Sequence, residues 1–329
     1  MKVFDKVISL LSGKLTSSGS AILVGSHERI PIRNEGFIPI APNISSAQIV
    51  FVDGGNGELL NGPNVSVQFV RLYASWYHLN ARVKRELRER FVVVFAQQKG
   101  LDLSFEAKVF DLDGNELSSV SFDAFDPAIA LSGRRADPSS VAGHVRKLLE
   151  LGFAEEIVEN LNPGDFLVRD GDLEPFGSAV EERMKFLSLV SSRRKVAIIG
   201  LSKTSTLCTD SGNSALFVLS RFAPAGSWLY YAGGRVGFVK LHPRSEYVFR
   251  CDILQADKQL LFSAVQLLAA NSEDPSFLGY PYGLIEADKF ARVSRDEAAQ
   301  LGLRLAVQSR DAFKPLQHAL DAHGLLNVI

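Results

Sequence analysis

A chain of 329 residues, 46% hydrophobic and 22% charged, has the material for one large α/β domain or two smaller ones, and its composition excludes a disordered or fibrous protein. Its net charge of −1 excludes nucleic-acid binding by a global basic field, so any affinity for phosphate has to come from local patches. No run approaches the ~18 continuous apolar residues of a membrane span, and Cys208 and Cys251 lie too far apart for a metal-type spacing, which fits a reducing cytoplasm.

The first element, Met1–Leu15, carries Val3, Val7 and Leu11 on one helical face with Phe4 and Ile8 beside it. Asp5 and Lys6 interrupt the apolar run, so it reads as an amphipathic helix that packs on the body or on a partner, and not as a signal peptide. Residues 20–55 read as short strands with turns at Asn34-Glu35-Gly36 and Gly54-Gly55. Val65–Phe69 alternates as a half-exposed strand, the charged stretch 78–90 reads as helix, and Phe91–Phe95 as strand. Residues 102–123 alternate on either side of Asp113-Gly114 and predict a hairpin, an insertion over about 97–125. The same turn resembles a calcium loop, but position 122 is Phe where that loop needs a closing Glu.

From Asp137-Pro138-Ser139 onward, helices and strands alternate: helix 139–159, a strand ending at Asp170, helix 176–192, strand 195–201 and helix 213–222. Strands at 228–232, 236–241 and 247–253 follow, and the remainder is mainly helical. Antiparallel strands followed by a strand–helix alternation predict one domain with a mixed sheet covered on both faces.

Two apolar runs end in Asp-Gly: Ile49–Val52 before Asp53-Gly54, and Phe166–Arg169 before Asp170-Gly171. Each reads either as a simple turn or as a carboxylate held at a rigid strand tip. Two such tips at one end of a sheet suit hard divalent cations and phosphate chemistry. On the 139–159 helix, Arg146 and Glu150 fall one turn apart on the stripe of Leu149, Phe153 and Ile157. They are either an i, i+4 surface pair or partly buried groups that need a partner or a metal. Lys203 follows the buried run Ala197–Leu201, where a lysine can set a point charge on a phosphate; the glycine spacing of a phosphate loop is absent. Pro281 starts a helix that carries Asp288 between Leu284 and Ala291, with Tyr280 just before it.

Taken in order from about Val50 to Ser294, these pieces resemble the NurA family of DNA nucleases. Phe51-Val52-Asp53-Gly54-Gly55 is similar to its first acidic strand end, Arg146-Lys147-Leu148-Leu149-Glu150 to its Arg-x-x-x-Glu helix, and Val168-Arg169-Asp170-Gly171-Asp172-Leu173 to its Asp-Gly-x-Leu strand end. Gly200–Ser205, Val239–Pro243 and Tyr280-Pro281-Tyr282 with Ala287-Asp288 resemble further family segments. Arg169 and Asp172 stand where the family pattern has apolar and small residues, and some members carry His in place of Asp288.

The resemblance implies a ribonuclease-H-like mixed sheet flanked by helices. It implies a 5′→3′ exonuclease and single-strand endonuclease on DNA, acting as a homodimer with a hexameric HerA-type ATPase in end resection and double-strand break repair. Asp53, Glu150, Asp170 and Asp288 would hold Mn²⁺ or Mg²⁺, two ions in all, with Lys203 stabilising charge on the phosphate, Tyr280 positioning it and Arg146 orienting Glu150. DNA contacts would come from Arg134 and Arg135, from Arg193, Arg194 and Lys195, or from Arg82, Lys84, Arg85, Arg88 and Arg90, the last group being equally a solvated helix face. The alternatives are an ATP-dependent phosphotransferase of actin-like fold, for which Gly233-Gly234 is the one, poorly placed, adenosine loop, and a DNA-binding scaffold without catalysis.

Overall fold

The computed structural model describes residues 2–15, 19–24, 28–100, 102–130 and 134–309. In chain order, helix α1 (Lys2–Leu15) precedes strands β1 (Ala21–Val24), β2 (Glu28–Pro31), β3 (Phe37–Pro39), β4 (Ile49–Asn61), β5 (Val65–His78), β6 (Ala81–Lys99), β7 (Asp102–Phe110) and β8 (Glu116–Asp123). Then come α2 (Pro138–Glu159), β9 (Phe166–Asp170), α3 (Ser178–Arg194), β10 (Ala197–Ser202), α4 (Ala215–Phe222), β11 (Trp228–Gly233), β12 (Val236–Lys240) and β13 (Phe249–Ile253). Helices α5 (Lys258–Ala270), α6 (Tyr282–Ala291) and α7 (Arg295–Ser309) close the described part.

Eleven strands form one mixed sheet, ordered β3-β11-β12-β13-β10-β9-β4-β5-β6-β7-β8, while β1 pairs with β2 apart from it. At its centre β10, β9 and β4 run parallel, with Ile49–Val52 in register with Phe166–Arg169 and Ala197–Leu201 with Phe166–Asp170. These are the continuous apolar runs of the sequence, and such runs suit strands covered on both faces. The covering follows the strand period of two. Val50 and Val52 of β4 join the core under α2 and α3, whereas Ile49 and Phe51 join the core under α5 and α6.

Three expectations from sequence are overturned, the first being that Val65–Phe69 is half exposed: Ser66, Val67, Gln68 and Phe69 are all buried. Residues 78–90 are strand, not helix: β5 and β6 form a long hairpin in register from Val65↔Phe95 to His78↔Ala81. The turn between them is Leu79-Asn80, both with positive φ (49° and 58°), the geometry of the tight turn that matches strand twist. Helix-forming Glu, Lys and Arg dominate the stretch, but the pairing against β5 overrides that propensity. Likewise Gly54-Gly55 is not a turn. Strand β4 runs through it to Asn61, paired with β5 throughout. Only its partner β9 stops, so beyond Val52 one edge of β4 is open.

Strands β7 and β8, the expected hairpin, are the last two strands of the same sheet, turning at Asp113-Gly114. Helix α1 forms as its periodicity predicts, yet Val3, Phe4, Val7, Ile8 and Leu11 are all exposed, so its apolar face does not pack on the body. No described helix is long and apolar enough to cross a membrane.

Candidate metal centre

Parallel strands bring their carboxyl ends to one side of a sheet, and here β4, β9 and β10 place Asp53, Asp170 and Ser202-Lys203 side by side. Asp53 sits where β4 outruns β9, and Asp170 is the last residue of β9. Helix α6 brings the third acid. Its first backbone N–H groups are satisfied from the end of α5, Tyr282 donating to the Asn271 carbonyl at 2.8 Å and Gly283 to Asn271 Oδ1 at 2.9 Å. Gly283 lies so close to the ring of Phe51 that a Cβ there would come within 1.9 Å of it. Glu286, 3% exposed, fixes the other side of α6 by accepting from the hydroxyls of Tyr73 (2.7 Å) and Tyr77 (2.6 Å) and pairing with Arg82. Asp288, two residues on, is thereby carried over the strand ends. Oxygen atoms of Asp53, Asp170 and Asp288 all lie within 4.8 Å of one another.

Glu150 reaches the same cleft from α2. That helix is capped by Asp137, whose carboxylate accepts from Ser139 N at 2.9 Å, with Pro138 in its first turn. Glu150 approaches β4 at Gly54, where an added Cβ would meet its Oε1 at 2.5 Å and would have to push the carboxylate aside. Its carboxylate is buried and paired with Arg146 one turn back and with Arg169 at 3.2 Å, while Arg146 also donates to the Gly54 carbonyl. The cleft, about 660 Å³, is lined by Asp53, Arg146, Glu150, Arg169, Asp170, Lys203 and Asp288, among others.

The electrostatics is that of acids crowded together. Burial first, then the charges of Glu150 and Asp170, hold the Asp53 carboxyl up at about 7, against the lowering effect of the Gly54 N–H that it accepts at 2.7 Å. Lys203 bridges Asp170 (2.8 Å) and Asp288 (3.2 Å). Burial opposes its charge, but the hydrogen bonds and charge of those two acids win and raise its pKa. Tyr280 is fully buried and donates to Asp170 at 3.1 Å; burial and the Asp170 charge push its phenol upward, so it stays a donor. It orients Asp170 and does not reach the cleft. Arg292 donates to the outer oxygen of Asp288 at 2.7 Å.

The structure thus gathers Asp53, Glu150, Asp170, Lys203, Tyr280, Asp288 and Arg146. It does not gather the basic clusters. Arg193 pairs with Glu159, Arg194 donates to the Leu161 carbonyl, and Lys195 caps α3, all at the entry end of β10, opposite the acids. Arg134 and Arg135 are exposed near the far end of β4, with Arg135 donating to the Pro63 carbonyl. Arg82 is committed to Glu286 and Arg88 to Glu86 and Glu156. Sequence reasoning missed Arg169, Arg292 and the Glu286 lock. Arg169 was signalled only by a charge inside an apolar strand. Glu286 has no local mark, because its partners come from a hairpin read as helix.

Three acids and no nitrogen or sulfur donor make a hard oxygen set, the chemistry of Mg²⁺ or Mn²⁺. Burial, and after it the neighbouring carboxylates, raise the Asp53 carboxyl, and a cation held beside it would favour its ionised form.

No protein-family model matches the sequence, and no curated protein matches it. Among solved structures, the NurA nuclease from Sulfolobus solfataricus is similar with a TM-score of 0.50 at 12% identity, over 95% of this chain and 98% of that one. An Argonaute from Aquifex aeolicus gives a TM-score of 0.34 at 10% identity, over 75% of this chain and 28% of its own, and one from Marinitoga piezophila in complex with guide RNA gives 0.29 at 12% identity, over 63% and 30%. Similarity at the level of the two Argonautes carries no argument. The first establishes the fold: a NurA-like mixed α/β architecture, a large mixed sheet flanked by helices.

Proposed function

We propose that this protein is a divalent-metal-dependent nuclease acting on DNA, with a ribonuclease-H-like catalytic core. The observation that carries the reading is the convergence of Asp53, Asp170 and Asp288, from β4, β9 and α6, within 4.8 Å. Glu150 is the fourth acid of the proposed set, held at the rim by Arg146 and Arg169. Bound there, Mg²⁺ or Mn²⁺, two ions in this reading, would supply charge neutralisation and activation of water toward a phosphodiester.

The chain's own residues do the rest. Tyr280 holds the Asp170 carboxylate in one orientation through its hydroxyl. Arg146 ties Glu150 to the Gly54 carbonyl, so helix α2 and strand β4 present their acids in fixed relation. Lys203, which bridges Asp170 and Asp288, stands where its ammonium can meet the charge that develops at the scissile phosphate. Arg169 and Arg146 line the cleft and give the phosphate chain a local positive wall, which the overall charge does not. The fold similarity to a NurA nuclease supports this reading, and the family resemblance of the motifs is the ground for 5′→3′ and single-strand activity, for a HerA-type ATPase partner and for a cytoplasmic role in end resection and repair.

The test is incubation of end-labelled single-stranded DNA with the protein and Mn²⁺, with and without EDTA. Cleavage that EDTA abolishes and Asp53→Asn lacks is expected. Cleavage by Asp53→Asn at the wild-type rate, or none by the wild type in any divalent metal, would overturn it. An actin-like phosphotransferase is disfavoured, because Gly233 and Gly234 lie where β11 turns into β12, separated from the acid-bearing strands by β13 and β10.

A further inference from the structure

We propose that Phe176 is a stacking platform for one unpaired base of the DNA strand whose phosphate enters the metal cleft, a proposal that rests on the nuclease reading above. Phe176 lines the same cleft as the acids, together with Arg146, Lys147 and Arg169. Its side chain is 60% exposed and makes no ring contact among the described residues. A single exposed apolar residue is ordinary on a protein surface. What sets this one apart is that the loop carrying it, 171–177 between β9 and α3, is fixed on both sides of it.

Before Phe176 the fixing comes from Arg250 of β13, whose side chain is 1% exposed. Its Nε donates to Asp252 Oδ1 at 2.9 Å, and its Nη2 donates to Glu174 Oε1 at 2.7 Å. The other oxygen of Asp252 accepts from the backbone N–H of Leu173 at 3.1 Å, and Leu173 is itself buried. A buried guanidinium is costly unless it is paired, and here both of its pairings end on the loop or on the acid that holds the loop. After Phe176 the chain passes through Gly177 at φ 92°, where a Cβ would stand 2.3 Å from that of Ala128 and 3.3 Å from the ring of His144. Only glycine suits that backbone conformation and that approach. The ring of Phe176 is therefore presented to the cleft by two rigid flanks, so a ligand that uses it does not have to order it.

Sites for single strands combine cations along the phosphates with aromatic faces under the bases. Lys147 supplies an exposed ammonium with no ion-pair partner among the described residues, three residues after His144 on α2. Arg146 and Arg169 add guanidinium groups that are shared with Glu150. Since the other basic clusters lie outside the cleft, charge alone gives the strand a weak hold, and stacking supplies the remainder. In a duplex both faces of a base are covered by its neighbours, so the platform takes an unpaired base. Every base has a flat face, so the platform does so without regard to sequence.

The test is fluorescence anisotropy of an end-labelled oligothymidylate and of an abasic strand of equal length, in Ca²⁺ and in the Asp53→Asn background, which spares the strand from cleavage. Phe176→Ala and Phe176→Leu should each weaken binding of the thymidylate by on the order of tenfold and leave binding of the abasic strand unchanged. Phe176→Trp should retain both affinities. Trp76 and Trp228 are buried, so the indole introduced by that change is the exposed one, and the thymidylate should quench it while the abasic strand should not. Thymidylate affinity undiminished in Phe176→Ala or in Phe176→Leu, an equal loss on the abasic strand, or an unquenched indole would each overturn the platform and leave the nuclease reading standing. If the parent protein binds neither strand, both fall together.

Discussion

Gly283→Ala probes the link between packing and chemistry. The added methyl would lie 1.9 Å from the Phe51 ring, and carbon atoms rest at about 3.5–4.0 Å, so something must move by roughly 1.6–2 Å. Phe51 has no room to yield: it is fully buried and set edge-on to Tyr77 at 5.5 Å. Helix α6 must therefore lift from β4, at a cost of about 1–3 kcal/mol for overpacking. Asp288 lies five residues further along the same helix, roughly 7.5 Å away, and a rigid helix carries it outward. Misplacing a reacting group by about 1 Å costs on the order of 10²-fold in rate. Gly143→Ala in α2 is the control. A Cβ there meets nothing within 4 Å, so this variant should gain about 0.5–1 kcal/mol from helix propensity and keep its activity. Thermal and urea melts, with Mn²⁺-dependent cleavage of single-stranded DNA, read both effects. If Gly283→Ala loses stability but cleaves at the wild-type rate, α6 does not relay position to the acids and the argument fails. If it melts with the wild type, the packing premise itself is wrong.

The remaining predictions concern single charges. Asp170→Asn should melt cooperatively yet lose on the order of 10²-fold or more in rate; near wild-type cleavage removes Asp170 from the proposed metal set. Glu150→Gln should lose activity while Glu156→Gln, whose carboxylate is exposed and bonded to Arg88, should not, and equal rates for the two would take Glu150 out of the chemistry. Lys203→Ala leaves Asp170 and Asp288 without their shared cation, so the melting temperature in EDTA should fall, and the rise on adding Mn²⁺ should exceed the wild type's; an unchanged response would show that the bridge carries no weight. Glu155 gives a pH test away from the cleft. Burial, against the pull of Arg183, raises its carboxyl to about 7, so as pH rises from about 4.5 to 7 the unfolded chain ionises first and stability drains away. Glu155→Gln should therefore gain on the wild type from about pH 5 and level off above about pH 7, and parallel melting curves across that range would contradict it.

The central parallel strands were legible because their signal is local and strong: short apolar runs ending in Asp-Gly or followed by Ser-Lys. Helix α2 was legible from Asp137-Pro138 and its 3.6-residue stripe. The β5–β6 hairpin was not, because its turn is Leu79-Asn80 and not the Asn-Gly or Asp-Gly that marks such turns, and because alternating charges on an edge strand use the same residues as a solvated helix. That one misreading hid the surroundings of Glu286, since Tyr73, Tyr77 and Arg82 all come from the hairpin. The continuation of β4 through Gly54-Gly55 was hidden for a different reason. Glycine there serves close approach, of Glu150 on one face and the Ala291 carbonyl on the other, and a glycine pair in sequence does not distinguish a close approach from a turn.

The lysine between Asp170 and Asp288 has a consequence for ion choice. It is a tethered monovalent counter-ion, held within hydrogen-bond reach of both carboxylates. Sodium or potassium displacing it would exchange one unit of charge for one unit, and would still have to shed water to do so, so the exchange gains nothing. A doubly charged ion entering the same place leaves a surplus of one unit and sets the ammonium loose. The cluster is thereby biased against the abundant monovalent ions by its own side chain, and it keeps its acids neutral enough to stay folded together in the intervals when no divalent ion is at hand.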